Sequence, residues 1–100
     1  MDLQSLWSEP VISEYSRKLK VCGHPIRLKL LCVISGQDDP CVTNLWTSLG
    51  ERQPVISQHL SVLKEHGVVD STIHGNRRIY FIRDEFIRDI VSKMVAESGK

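Results

Sequence analysis

Nowhere does the sequence hold an apolar run approaching the roughly 18 residues that cross a bilayer. Asp2, Glu9, Pro10 and Glu14 interrupt the first twenty residues, so no signal-like stretch forms there either. The expectation is a cytoplasmic protein with no membrane partner. Excess charge is also lacking: 13 Lys and Arg stand against 12 Asp and Glu, a formal net charge of +1. That excludes a histone-like polycation and an acidic disordered tail. There is no internal repeat, low-complexity tract or long linker. Cysteine is sparse and odd in number, at Cys22, Cys32 and Cys41. A stapling disulfide framework is therefore not expected, and the three read as thiols, buried or reactive. No Ser-His-Asp set, phosphate loop or paired-carboxylate arrangement stands out, and so short a chain leaves little room for a deep pocket. An enzyme is not expected.

What is present is the balance of a globular chain, with 41% hydrophobic and 25% charged residues. One hundred residues make a single domain, 1–100. Such a chain buries only roughly 60 to 65% of its unfolded surface, which makes a second subunit a natural cover for leftover apolar area. Ile12, Tyr15, Leu19 and Cys22 recur at helical spacing on a first helix. Pro25 opens a second, carrying Ile26, Leu30, Leu31 and Ile34 and stopped by Gly36. Val42, Leu45, Trp46 and Leu49 mark a short third helix, with Thr43 as its cap and Gly50 as its end. A fourth starts near Gln53-Pro54, turns Ile56, Leu60 and Leu63 inward and ends at Gly67.

From Val68 the pattern changes. Runs rich in β-branched and aromatic residues, Val68 to Ile73 and Arg78 to Ile82, flank His74-Gly75-Asn76-Arg77 and predict a β-hairpin with a basic tip. A last helix from about Asp84 places Phe86, Ile87, Ile90, Val91, Met94 and Val95 on one side, a stripe that calls for a partner. The order predicts an α+β, mainly α fold: a winged helix-turn-helix of about five helices and a hairpin wing. The helix-turn-helix spans 42–67 and the wing 68–82.

Resolved by segment, the charge says more than its total. Residues 52–83 carry Arg52, Lys64, Arg77, Arg78 and Arg83 against Glu65 and Asp70, an excess of three, while the flanking segments are each slightly acidic. Phosphate neutralisation needs Lys or Arg on the surface that meets DNA, and base reading needs short polar side chains near the start of the recognition helix. The candidate DNA-binding residues are Arg52, Gln53, Ser57, Gln58, His59, Ser61, Lys64, Arg77 and Arg78.

Three strings, Cys22-Gly23-His24-Pro25-Ile26-Arg27-Leu28-Lys29-Leu30-Leu31, Val42-Thr43-Asn44-Leu45-Trp46 and the run from Gln53 to Val69, resemble the ArsR/SmtB family of winged-helix repressors. The resemblance spans roughly Leu19 to Ile82. It implies a homodimer with dimerisation helices over 1–22 and 84–100, its interface drawn from Ile12, Tyr15, Leu19, Phe86, Ile87, Ile90, Val91 and Met94. It also implies a double-stranded DNA operator in the form of an imperfect palindrome, released when an effector binds. The sequence departs from the family at the turn, where Glu51 and Arg52 replace an apolar residue and a small hydroxyl cap.

Members of the family sense metals, metalloids or reactive sulfur. With no His after His74, Asp84, Asp89 and Glu97 make a poor zinc site. Cys41 matches the first thiol of an arsenic-type Cys-x-Cys, but Thr43 stands at the second position. Cys32 falls where the sulfur-sensing branch has its second-helix thiol, yet no Cys follows Cys41 to pair with it. No cofactor or metal is assigned, and Cys22, Cys32 and Cys41 remain the candidate sensor thiols for a thiophilic metal, a metalloid or thiol oxidation. The alternative function is a winged-helix module that binds protein and has no small-molecule sensor.

Overall fold

The computed structural model describes residues 7–98. Five helices and one hairpin are found among them: α1 Glu9–Cys22, α2 Pro25–Gly36, α3 Val42–Leu49, α4 Gln53–Glu65, β1 Val69–His74, β2 Arg77–Ile82 and α5 Glu85–Ser98. This is the winged helix-turn-helix order expected from the sequence.

The helix starts follow from local chemistry. His24 is extended and its Nδ1 accepts the Ile26 N–H at 3.1 Å, while Pro25, which has no N–H to satisfy, takes the first turn of α2. At α3 the cap is Cys41, not Thr43. Cys41 is extended, and the Asn44 side chain three residues on reaches back to accept its N–H at 3.2 Å. Thr43 already lies within the helix and is exposed. Arg52 caps α4 with extended backbone and no side-chain hydrogen bond, so the amides of that first turn have no side-chain acceptor from the cap residue. Between α3 and α4 the chain reverses at Gly50, whose φ of +67° is readily reached only without a side chain.

The two strands pair antiparallel from Val69↔Ile82 to His74↔Arg77. The wing loop is therefore Gly75-Asn76 alone, shorter than the four-residue turn expected, and His74 and Arg77 belong to the strands. Gly75 at φ +67° supplies the positive φ that a two-residue hairpin loop needs to match strand twist. The wing is closed at its base and tied to the body along β2. Val68 O accepts from Arg83 N and Asp84 N, and Tyr80 N donates to Pro40 O at 2.9 Å beside a Cys41–Ile79 bridge.

Around α2, whose Leu30 and Leu31 are fully buried, pack Leu45 of α3, Ile56, Leu60 and Leu63 of α4, Val69 and Ile82 of the wing, and Ile87 and Val91 of α5. Burial of one such side chain is worth about 1.5–3 kcal/mol. The burial of Ile87 and Val91, each 1% exposed, corrects their assignment to a dimer interface: they serve the protomer's own core. On α5 the rest of the stripe, Phe86, Ile90, Met94 and Val95, is half-buried. On α1 the stripe is exposed, with Ile12, Tyr15 and Leu19 at 40–48%. The Tyr15 and Phe86 rings meet edge-on at 4.8 Å, and Lys18 Nζ lies 2.8 Å from Asp84 Oδ2, which joins α1 to the start of α5.

Candidate DNA-binding surface

Ile56, Leu60 and Leu63 anchor α4 by one face, and at 100° per residue this sends Ser57, Ser61 and Lys64 to one flank and Gln58 outward. Arg52, Gln53, Ser57, Gln58, Ser61 and Lys64 are all exposed. Strand alternation turns Arg78 and Tyr80 of β2 toward the same flank. Ser57, Leu60, Ser61, Lys64, Arg78 and Tyr80 together line a cleft of about 190 Å³ between recognition helix and wing. Three hydroxyls, of Ser57, Ser61 and Tyr80, and two cations thus line one surface.

Buttressing surrounds the cleft. Arg78 Nη1 donates to Ser71 Oγ at 3.0 Å across the hairpin. The Asp70 carboxylate stands 3.9 Å from Lys64 Nζ and 4.0 Å from Arg83 Nη1, close enough to orient both cations without neutralising either in a tight pair. The neighbouring Arg77 points the other way, and its Nη2 donates to Cys41 Sγ at 3.4 Å and to Asn44 Oδ1 at 3.5 Å.

His59 does not join this surface. It sits about 160° around α4 from both Ser57 and Ser61. There its Nδ1 accepts from Arg27 Nε at 3.2 Å and its ring lies 4.5 Å from that of His24. Burial, followed by His24 and Arg27, holds the His59 pKa below its ordinary value. The sequence position is adjacent to Gln58, but helical geometry assigns His59 to the seam between α4 and α2. Sequence reasoning passed over Asn44 and Tyr80. Cys41-x-x-Asn44 has the spacing of a capping box without its usual Ser/Thr and Glu/Gln, and the alternation of β2 puts Tyr80 on the face of Arg78.

The three thiols occupy three environments. Cys22 is buried at the end of α1, and burial pushes its pKa up to about 11. Cys32 is half-buried in an apolar groove with Leu28, Val33, Leu49 and Met94, where burial again raises its pKa. Cys41 is the opposite case. The Arg77 guanidinium, then the backbone N–H groups at the start of α3, hold its thiol below the usual value.

This arrangement has counterparts among known proteins. Residues 24–71, which contain α2, α3, α4 and the start of the wing, match the model of the arsR family of bacterial regulatory proteins. The chain is 35% identical over 78 residues to an HTH-type transcriptional regulator of Methanocaldococcus jannaschii, covering 78% of this chain and 86% of that one. It is 37% identical over 82 residues to a biofilm growth-associated repressor of Xylella fastidiosa, covering 82% and 71%. The crystal structure of a predicted DNA-binding transcriptional regulator from E. coli superposes with a TM-score of 0.83 at 28% identity, covering 93% of this chain and 96% of that one. With the helix-turn-helix, wing and recognition-helix string all in place, the chain belongs to the arsR family of bacterial regulatory proteins and is a winged helix-turn-helix transcriptional regulator.

Proposed function

We propose that the protein acts as a homodimeric repressor whose α4 enters the major groove of a two-fold-symmetric operator while the wing lies alongside on the backbone. The observation that carries this reading is the cleft between α4 and the wing, where Ser57, Ser61 and Lys64 of α4 stand opposite Arg78 of β2. Hydroxyl and amide groups of Ser57, Gln58, Ser61 and Gln53 suit base edges, and Arg52, Lys64, Arg77 and Arg78 suit phosphates. Dimerisation is supported by the apolar side chains left uncovered on α1 and α5, namely Ile12, Tyr15, Leu19, Phe86, Ile90 and Met94. In such a dimer the half-sites lie about 34–36 Å apart, one helical turn.

The test is duplex binding followed by fluorescence anisotropy across a salt series. The affinity falls steeply with salt, and Arg78→Ala and Lys64→Ala each reduce the log–log slope by about one. If the chain binds no duplex even at low salt, the protein-binding module becomes the better reading. Release by a thiol-reactive effector belongs to the same proposal. Of the three thiols Cys41 has the chemistry for it, because Arg77 and the amides at the start of α3 favour its thiolate. Arsenite or persulfide should release DNA from the wild type. Unchanged release after alanine replacement of Cys22, Cys32 and Cys41 together would remove the thiols from the mechanism.

A further inference from the structure

We propose that Cys41 and Asn44, at the start of α3, are positioning residues that hold the Arg77 guanidinium and thereby set where the wing presents this cation to DNA. The inference rests on the reading of Arg77 as a phosphate contact and deepens it. Arg77 and Arg78 are consecutive residues of β2, so their side chains leave opposite faces of the ribbon. Arg78 joins the cleft with α4. Arg77 crosses to α3, where Nη2 reaches both Cys41 Sγ at 3.4 Å and Asn44 Oδ1 at 3.5 Å. Both contacts use the same nitrogen, which leaves Nη1 and Nε to donate to a phosphate.

The two acceptors are themselves fixed. Asn44 Oδ1 accepts the Cys41 N–H at 3.2 Å and its S–H at 3.0 Å, so its position is set by the cap of α3. The strand that carries Arg77 is fixed to the same corner by the Tyr80 N–H bond to Pro40 O at 2.9 Å and by the Cys41–Ile79 bridge. A guanidinium held between two rigid anchors has already given up the rotamer freedom that a loose Arg loses on meeting a phosphate. The wing thus offers two cations, one held toward the recognition helix and one toward the start of α3, each for a different phosphate.

A double-mutant cycle on the full-length protein tests this, read as affinity and salt slope for a fluorescein-labelled duplex of about 30 base pairs. Arg77→Ala removes about one unit of slope. In the wild-type background Asn44→Ala lowers affinity about three-fold and removes part of that same unit, whereas in the Arg77→Ala background it changes neither. Cys41→Ala, which removes the sulfur acceptor, likewise lowers affinity in the wild-type background and changes nothing in the Arg77→Ala background. Thermal unfolding of each variant confirms that the protein stays folded at the assay temperature. If the Asn44→Ala loss persists without Arg77, Asn44 acts only as a helix cap and the positioning role is overturned. It is equally overturned if Asn44→Ala leaves affinity and slope untouched while Arg77→Ala lowers them. An unchanged slope in Arg77→Ala would instead remove the phosphate contact, and the positioning role with it.

Discussion

Two surfaces of this small protein are built on one core and differ in what they leave uncovered. The α4–wing surface exposes Ser57, Gln58, Ser61, Lys64, Arg77 and Arg78, groups that water satisfies until a phosphate or base edge replaces it. The α1–α5 surface exposes Ile12, Tyr15 and Leu19 beside half-buried Phe86, Ile90 and Met94, groups that water never satisfies. The first can wait for its ligand, while the second gains by staying covered. A residue's place on one surface or the other should therefore decide whether its removal is felt in DNA binding or in assembly. Substitutions break or sharpen that division.

The largest effect should come from a residue that serves both surfaces. Leu30 is 0% exposed at the centre of α2, and Leu30→Ala should cost about 2–5 kcal/mol in denaturant unfolding, degrading DNA binding and assembly together. Next comes Leu19→Asp, which places a charge in the exposed α1 stripe at 48% exposure and disturbs no buried packing. Sedimentation should show the dimer weakened by at least about a hundredfold, since desolvating an unpaired carboxylate costs several kcal/mol. Helical content should be preserved. If Leu19→Asp left assembly unchanged, the α1 stripe would not be the dimer surface and the division would fail on that side.

Much of this layout was legible in the sequence, and where it was not the reason is physical. Periodicity identified Ile56, Leu60 and Leu63 as the inward face of α4 because one repeat controls both the sequence and the packing. The same periodicity could not divide α5. Ile87 and Val91 share their stripe with Phe86, Ile90 and Met94, and only the position of α2 determines which members of a broad stripe lie inside the protomer. His59 was assigned to the DNA side by adjacency to Gln58, whereas a step of 100° turned it to Arg27 and His24. The hold of α3 on Arg77 is a contact across 33 residues, which no local pattern encodes.

The Lys18–Asp84 pair sharpens the apolar side. Asp84 Oδ1 accepts the Ile87 N–H at 3.0 Å and Oδ2 pairs with Lys18, so one carboxylate caps α5 and ties α1 to it. Burial alone would raise the Asp84 carboxyl, but Lys18 and the amides of Ile87 and Phe86 outweigh it and hold its pKa below the ordinary value. The contribution is therefore present above the unfolded-state pKa of about 3.9 and is lost as pH falls through the lower folded value. Asp84→Asn should lower stability by about 1 kcal/mol at pH 7 and reduce the slope of stability against pH in the acid limb. An acid limb identical to that of the wild type would show that the pair contributes nothing beyond packing.

The smallest expected effect lies behind the polar surface, in the seam where His59 meets α2. Arg27 Nε–H can only donate, so His59 Nδ1 must be unprotonated and the neutral ring carries its hydrogen on Nε2. Protonation would set a donor against a donor and a second cation beside Arg27, with His24 adjacent and Glu51 the one neighbouring group that favours the charged form. The folded-state pKa is thus below the unfolded value near 6.5, and the unfolded chain binds the extra proton first. Stability from this group is complete above that unfolded value and declines as pH falls toward the folded one. His59→Gln retains a carbonyl acceptor for Arg27 but cannot titrate. Its melting temperature should therefore match the wild type near pH 8 and fall less steeply as the pH is lowered below the unfolded-state value. DNA affinity at pH 8 should also be unchanged, because His59 stands outside the α4–wing cleft. A loss of affinity there without a loss of stability would return His59 to the DNA surface and break the division between seam and interface.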